Sequence, residues 1–427
     1  MFGINKVFNS DYSRYILYLK SASIYLSASM FAAGLKILIN PIMAKNLSHN
    51  DYAIIGYFGS FSAITLPLLT FMVFAYYQRN YYLVSDEKRQ RIANTIIIFL
   101  AGMGTIPAFT ILLGLYAYFE YSNVYFPFVP FAFFLVFQIV FNSFLTFLQV
   151  NYRLKREANK YAQITIISSL LWLAVSVLLV VVFKLGARGS MGATFIVAIF
   201  LGLYSIKKTL TKLEFDFNIF KDLVKFCWPL TLSSLLWYFL SGVDGAILEK
   251  LNDSNTFALY SIGLSLSGAL GMFYTAISQT FEPDIFKAIS ERRLIRLTKI
   301  ILVIICINAI PVILFILFVT PLTNLLTAGR YTNAAPYALI ISLKNISMSF
   351  YYCLLTVIVG FGFTKADLGL RAVGAIFSYL MFTFLIKHFA FYGAAWGQVI
   401  SFLFMSVIGL VFIIYKLNKK KLYENFF

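Results

Sequence analysis

Charge is what this 427-residue sequence has least of. Asp, Glu, Lys and Arg together make up 12% of it, about half of the roughly 25% usual in soluble domains. The chain is 60% hydrophobic and 18% aromatic, more apolar surface than so few charges can cover in water, which disfavours soluble enzymes, nucleic-acid-binding modules and secreted domains alike. Histidine occurs only as His49 and His388, both isolated from cysteine, so no metal-ligand spacing exists. Cys227, Cys306 and Cys353 lie inside apolar runs and are odd in number, which implies no disulfide framework. No GxxxxGKS/T phosphate loop is present, so the chain is not its own ATPase. The glycine clusters Gly186, Gly189, Gly192 and Gly360, Gly362 follow no strand and read as helix ends. Nor is a buried carboxylate pair or a Ser/His/Asp grouping legible.

Long apolar runs are what the chain has in abundance. A membrane-spanning helix needs about 20 apolar residues, and twelve runs of that kind recur, at about 21–44, 52–77, 92–118, 127–150, 161–183 and 191–210, then 226–250, 257–281, 298–320, 336–359, 368–387 and 393–415. The fold class is therefore an all-α polytopic membrane protein. The N-terminus carries Lys6, Arg14 and Lys20 and lacks the apolar core of a cleavable signal peptide, so the first span reads as an uncleaved targeting signal. Lys and Arg in short loops are retained in the cytoplasm. With both termini inside, the cytoplasmic segments hold 27 Lys+Arg and the outside loops six, which leaves only Lys36 and Lys344 within apolar runs. The net charge of +18 is thus mostly a topology signal of a multi-pass membrane protein with both termini cytoplasmic.

The largest stretch outside the spans, residues 211–225, sits at the midpoint and reads as a cytoplasmic linker between an N-terminal six-helix half, 1–210, and a C-terminal half, 226–427. A shift of 204 or 205 residues aligns the halves weakly: Asn50, Tyr52 and Ala53 fall on Asn255, Phe257 and Ala258, and Glu87-Lys88-Arg89 on Glu291-Arg292-Arg293. Six crossings return the chain to the same side, so the repeats are parallel. Small residues at four-residue spacing, Gly263, Ser267 and Gly271, and Gly393, Gly397 and Ser401, read as helix-packing ridges.

Ionisable groups inside a span cost about 2.5–3.5 kcal/mol on insertion scales, and such groups face a cavity or a partner. Three qualify. Lys36 lies about 12 Å from the outer end of its helix at 1.5 Å per residue, with Asn40 one turn further on the same face; it either snorkels to the interface or faces a cavity. Asp244, with Trp237 and Ser241 at helical spacing, is the counterpart of Asn40 at an offset of 204; interfacial solvation and a cavity role both remain open for it. Lys344 shares a face with Ser347 and Tyr351. On the fourth run Gln138, Asn142 and Gln149 form a polar stripe suited either to sugar hydroxyls or to helix-to-helix hydrogen bonds. Tyr76, Tyr77, Tyr81 and Tyr82 flank a cytoplasmic interface, where aromatic belts lie.

The stretch Ile39 to Tyr57, INPIMAKNLSHNDYAIIGY, resembles the first-loop signature of polysaccharide-repeat flippases, and Pro229-Leu230, Asp244, Leu259-Tyr260-Ser261 and Glu282-Pro283 are similar to the same family in the second half. The whole chain resembles the Wzx-type oligosaccharide flippases of the MATE-like MOP superfamily. One departure is that Asp244 is followed by Gly245, where the family often has Asp-Arg; Lys36 or Lys344 is left to supply the cation. The resemblance implies a V-shaped bundle of two six-helix halves that opens alternately to each membrane face. It implies as substrate an undecaprenyl-pyrophosphate-linked oligosaccharide for O-antigen, lipopolysaccharide or capsule, and as partners membrane lipids, a polysaccharide polymerase and a chain-length regulator, with no nucleic acid. Substrate contacts are expected at Lys36, Asn40, Lys344, Asp244, Gln138 and Asn142. No catalytic or metal residue and no cofactor are expected, apart from a coupling cation, Na+ or H+; Asp244 would either orient a Lys or bind that cation. Two rivals stand: a cation-coupled multidrug exporter, which would need more acidic cavity groups than Asp244 alone, and a glycan polymerase, which would need larger outside loops than about 5–15 residues.

Overall fold

A computed structural model describes residues 24–419 apart from 26, 292 and 362. Lys6, Arg14, Lys20, Arg292, Gly362 and the side chains of Glu282 and Pro283 therefore lie outside the described residues. Among the described residues there is no strand. The helices in chain order are α1 Ser27–Asn46, α2 His49–Thr70, α3 Val73–Asn80, α4 Asp86–Met103, α5 Ile106–Ser122, α6 Phe131–Leu154, α7 Ala158–Val177, α8 Gly186–Thr209, α9 Phe217–Leu235, α10 Trp237–Ser241, α11 Val243–Leu248, α12 Ser254–Gly268, α13 Leu270–Ser290, α14 Leu294–Leu317, α15 Val319–Leu326, α16 Ala335–Gly360 and α17 Thr364–Lys419.

Ten helices among the described residues are long and apolar enough to cross a membrane; eleven of the twelve expected runs fall on them, the last two on one helix, and the eighth does not. The eighth run is divided at Ala269 into α12 and α13. The last two runs are joined in the 56-residue α17, which at 1.5 Å per residue would extend about 84 Å if straight, far beyond a hydrocarbon core of about 30 Å. It turns back at Ala390 (φ 47, ψ −128), so the expected loop there has no length of its own. Gly393 makes this reversal possible: a Cβ at that position would stand 2.1 Å from the Leu385 carbonyl oxygen. Gly393→Ala is expected to destabilise the protein by about 1–3 kcal/mol, read as a lower thermal unfolding midpoint of the purified chain.

Local capping explains several helix starts. At α2 the Asp51 carboxylate accepts from the Ser48 N–H (2.9 Å) and hydroxyl (2.7 Å), while Asp51 N–H donates to Ser48 Oγ at 3.2 Å, a reciprocal cap. In the second half Asp253 accepts from the Thr256 N–H (3.0 Å) and hydroxyl at the start of α12. Burial pushes the Asp253 carboxyl up, but these bonds outweigh it and hold it below its ordinary value. The expected linker is shorter than residues 211–225, because Asp216 caps α9 by accepting from the N–H groups of Asn218 (2.9 Å) and Ile219 (3.1 Å). The non-helical remainder is tied to α4: Thr211 N–H donates to Asn94 Oδ1, and Asp216 N–H to Thr95 Oγ1, both at 3.2 Å.

Contacts group the chain into two units that are not contiguous in sequence. The first holds the described residues through Asn46, Leu68–Tyr121 and Phe128–Pro229; the second holds Leu47–Pro67, Ser122–Pro127 and the chain from Leu230 onward. In the first, α6 packs against α7 and α8 around Leu145, Leu148, Ile164, Val197 and Leu201. In the second, α13, α14 and α16 meet around Ile285, Leu297, Ile304, Cys353 and Val357. There the ridge read as helix packing serves that purpose: Ser267 Oγ donates to the Ala338 carbonyl at 2.7 Å and Asn345 Nδ2 to the Ser267 carbonyl at 3.3 Å.

Candidate functional site

Two of the ionisable residues singled out in the sequence meet in the second unit. Asp244 lies on α11, just past the break at Gly242, and is only 2% exposed. Its Oδ2 accepts from the Tyr260 hydroxyl of α12 and, at 2.9 Å, from Gln398 Nε2 of α17. Gln398 Oε1 in turn accepts from Lys344 Nζ of α16 at 3.2 Å. The amide of Gln398 is thereby oriented by both charges, its NH2 toward the carboxylate and its oxygen toward the ammonium. An uncompensated charge at such a site would cost several kcal/mol. Here four helices contribute to one chain of hydrogen bonds that is neutral overall.

Lys344 is the member of this chain with capacity to spare. An ammonium carries three donors, and among the described residues its one side-chain partner is Gln398, so two donors remain for a ligand oxygen. On the other side Asp244 lines a cavity of about 210 Å³ together with the hydroxyl-bearing Ser60, Ser241, Ser261 and Ser265. Its walls come from α2, α10, α11 and α12, all within the second unit. The seam between α2 and α12 is close: a Cβ on Gly56 would stand 2.0 Å from Ser261 Oγ, and one on Gly245 2.7 Å from Ser60 Oγ.

A second polar layer lies seven residues along these helices, about 10 Å at 1.5 Å per residue. Trp237 packs on Phe402 (5.4 Å between ring centroids) and Tyr352 (5.8 Å). The Arg371 guanidinium stands 6.0 Å from the Trp237 ring and pairs with Asp367 at 2.8 Å, with side chains 16% and 21% exposed. Asp367 also accepts from Ser233 Oγ at 3.3 Å. The charge count assigns Arg371 to a cytoplasmic segment although the expected run 368–387 contains it, and in the structure it sits inside a span, Ala366–Lys416. Its i,i+4 partner Asp367 compensates it and, in the sequence, makes the pair look like a loop.

The remaining expected contacts lie in the first unit and are not joined to one another. Lys36 is exposed on α1 and Asn40 half-buried; on α6 Gln138 is half-buried and Asn142 exposed. None of the four has a side-chain hydrogen bond among the described residues. Gln149 of the same stripe donates to Thr165 Oγ1 of α7 at 3.2 Å, the helix-to-helix role. Tyr76, Tyr77 and Tyr81 are buried and Tyr82 is exposed. Gln398 and Tyr260 were not among the expected contacts. Gln398 is a lone amide in the apolar stretch AWGQVISF, beside the Gly397 and Ser401 ridge, and that isolation was the signal available.

The sequence profile of the family described as "Polysaccharide biosynthesis protein" matches residues 18–288, more than half of the chain. The chain belongs to this family. No curated protein sequence matches it significantly. Among solved structures, this chain is similar to an inward-facing multidrug resistance MATE family transporter of the MOP superfamily, with a TM-score of 0.71 and 16% identity over 94% of this chain and 99% of that one. An outward-facing MATE transporter matches with a TM-score of 0.59 and 16% identity over 94% and 96%. A mutant of the Vibrio cholerae MATE transporter VcmN matches with 0.58 and 13% identity over 97% and 99%. The protein is thus a multi-span membrane protein of the polysaccharide biosynthesis family with a MATE-like fold.

Proposed function

We propose that this protein is a flippase that carries undecaprenyl-pyrophosphate-linked oligosaccharide repeat units from the cytoplasmic to the outer leaflet of the bacterial inner membrane, for O-antigen or capsule synthesis, by alternating access. The observation that carries the reading is Lys344, a lysine held within the span by a neutral amide, with two donors left for an anionic oxygen. A pyrophosphate has only to compete with the Gln398 oxygen for it. Lys36, exposed on α1, is a further cation within a span, and the aromatic layer of Trp237 and Tyr352 offers ring faces to sugars. With both termini cytoplasmic and the interior negative, moving two negative charges outward is favoured by about 4.6 kcal/mol per 100 mV, so the membrane potential suffices as a driving force. A polymerase and a chain-length regulator would act on the product outside.

The experiment is translocation of a fluorescent undecaprenyl-pyrophosphate-linked oligosaccharide in proteoliposomes, read by outer-leaflet accessibility. An inside-negative potential is expected to accelerate export, and Lys36→Ala to slow it several-fold at equal protein level. Export of a cationic dye in place of the glycan lipid would reject the reading in favour of a multidrug exporter. Cation coupling is a second proposal, favoured by the hydroxyl-lined cavity at Asp244: replacing Na+ by a bulky organic cation, or collapsing the proton gradient, would then stop transport even with the potential held constant.

A further inference from the structure

A separate cavity of about 630 Å³ lies in the first unit, where the turn after α3 meets the corner between α6 and α7, at the end of the helices that the charge count assigns to the cytoplasm. Its lining combines Tyr77, Tyr81 and Tyr82 with Arg89, Lys155 and Arg156. The tyrosines are fixed in place: Tyr77 OH donates to Asn151 Oδ1 at 3.0 Å and Tyr82 OH to the Leu154 carbonyl at 2.9 Å. Arg89 stiffens the wall, stacked 4.2 Å from the centre of the Tyr81 ring while its Nε donates to the Tyr81 carbonyl at 2.8 Å.

The acidic groups of the lining are answered by cations of their own. Asp86 pairs with Arg89 at 2.5 Å, and Glu157 with Lys160 at 3.0 Å. Lys155 and Arg156, both exposed, join Arg89 to make three cations in a lining with two carboxylates, so the cavity is net positive. Arg156 also stands at φ 60, a left-handed conformation that a glycine adopts without penalty and a long side chain does not. A residue kept there against its backbone preference points to a use for its side chain. Tyr82 and Leu83, 66% and 74% exposed, stand beside the cavity, as an apolar patch does at the level of lipid headgroups.

We infer that this cavity binds the phosphate of a membrane lipid, with Lys155 and Arg156 holding the phosphate oxygens and the tyrosines holding the group next to it. Two sources share that chemistry: a resident anionic phospholipid, and a polyprenyl pyrophosphate waiting in the same leaflet. The inference needs only the membrane setting and stands apart from the transport reading.

The test uses the full-length protein in detergent, titrated with dioleoylphosphatidylglycerol, dioleoylphosphatidylcholine or undecaprenyl pyrophosphate, with bound lipid counted by native mass spectrometry. The variants are Lys155→Gln, Arg156→Gly and their combination. A basic residue near an anionic lipid contributes about fivefold, so the double variant is expected to weaken binding about thirtyfold. Arg156→Gly alone is expected to raise the unfolding midpoint without lipid, because glycine suits φ 60, while lowering the lipid-induced rise; opposite signs separate a ligand contact from a structural residue. Loss confined to phosphatidylglycerol identifies a resident lipid, and loss confined to the polyprenyl pyrophosphate a waiting site; either upholds a lipid-phosphate site. Equal binding of phosphatidylglycerol and phosphatidylcholine, with no effect of the polyprenyl pyrophosphate, overturns it, as does unchanged binding in the double variant.

Discussion

Replacing Lys344 by Met is expected to reduce glycan export about 10- to 100-fold, the worth of one or two charge-assisted hydrogen bonds to a phosphate. Among the described residues the variant leaves Asp244 held only by Tyr260 and Gln398, with its bridged cation gone, so the unfolding midpoint should fall as well. A loss of export could then reflect either effect. The combination Asp244→Asn with Lys344→Met separates them. With both charges gone, Gln398 bridges two neutral groups, and stability should return to within about 1 kcal/mol of the starting protein. Export should stay lost, because the ammonium that meets the anion is still missing. The measurements are thermal unfolding in detergent and surface glycan at matched protein level. Recovery of export in the double variant would mean that Lys344 serves only to neutralise Asp244.

Gly56→Ala is the second large effect. A methyl there would stand 2.0 Å from Ser261 Oγ and 2.5 Å from Ser261 Cβ. Rotating the serine removes the first clash but not the second, so the backbones of α2 and α12 must separate, at about 1–3 kcal/mol. Separation would also open the serine-lined cavity that holds Asp244 in its wall. Ser261→Gly in the same chain should recover most of the loss. Gly59, one turn along the same helix, is the control: a Cβ there meets nothing within 4 Å, so Gly59→Ala should be neutral or stabilise by up to about 1 kcal/mol through helix propensity. Equal behaviour of the two alanines in an unfolding experiment would show that α2 and α12 do not pack this closely.

Most spans were legible because a hydrocarbon slab imposes one length on every apolar run, and the runs at about 127–150 and 191–210, seen as α6 and α8, needed no other information. Asp244 and Lys344 stood out because each is a lone charge in its run. Their connection did not, since Gln398 carries no charge and lies 54 residues from Lys344 and 154 from Asp244. Arg371 was hidden for the opposite reason: its charge is compensated within its own helix turn by Asp367, and a close pair of opposite charges looks like a loop to hydropathy. The reversal at Ala390 was expected only as a short loop, because a turn made by one residue's φ and ψ leaves no polar segment behind. The grouping of 47–67 with the later helices depends on small residues such as Gly56, whose close approach to Ser261 leaves no trace in periodicity.

That grouping has a consequence for how the chain is made. Segment 47–67 is synthesised some two hundred residues before α12, its packing partner, is complete, and at about 5–20 residues per second the interval is about 10–40 s. During that time the small-residue face of α2 has only lipid, or the insertion machinery, to rest against. A protein truncated by a stop codon at the midpoint would carry α2 without its partner permanently, and its turnover by membrane proteases should be faster than that of the complete chain.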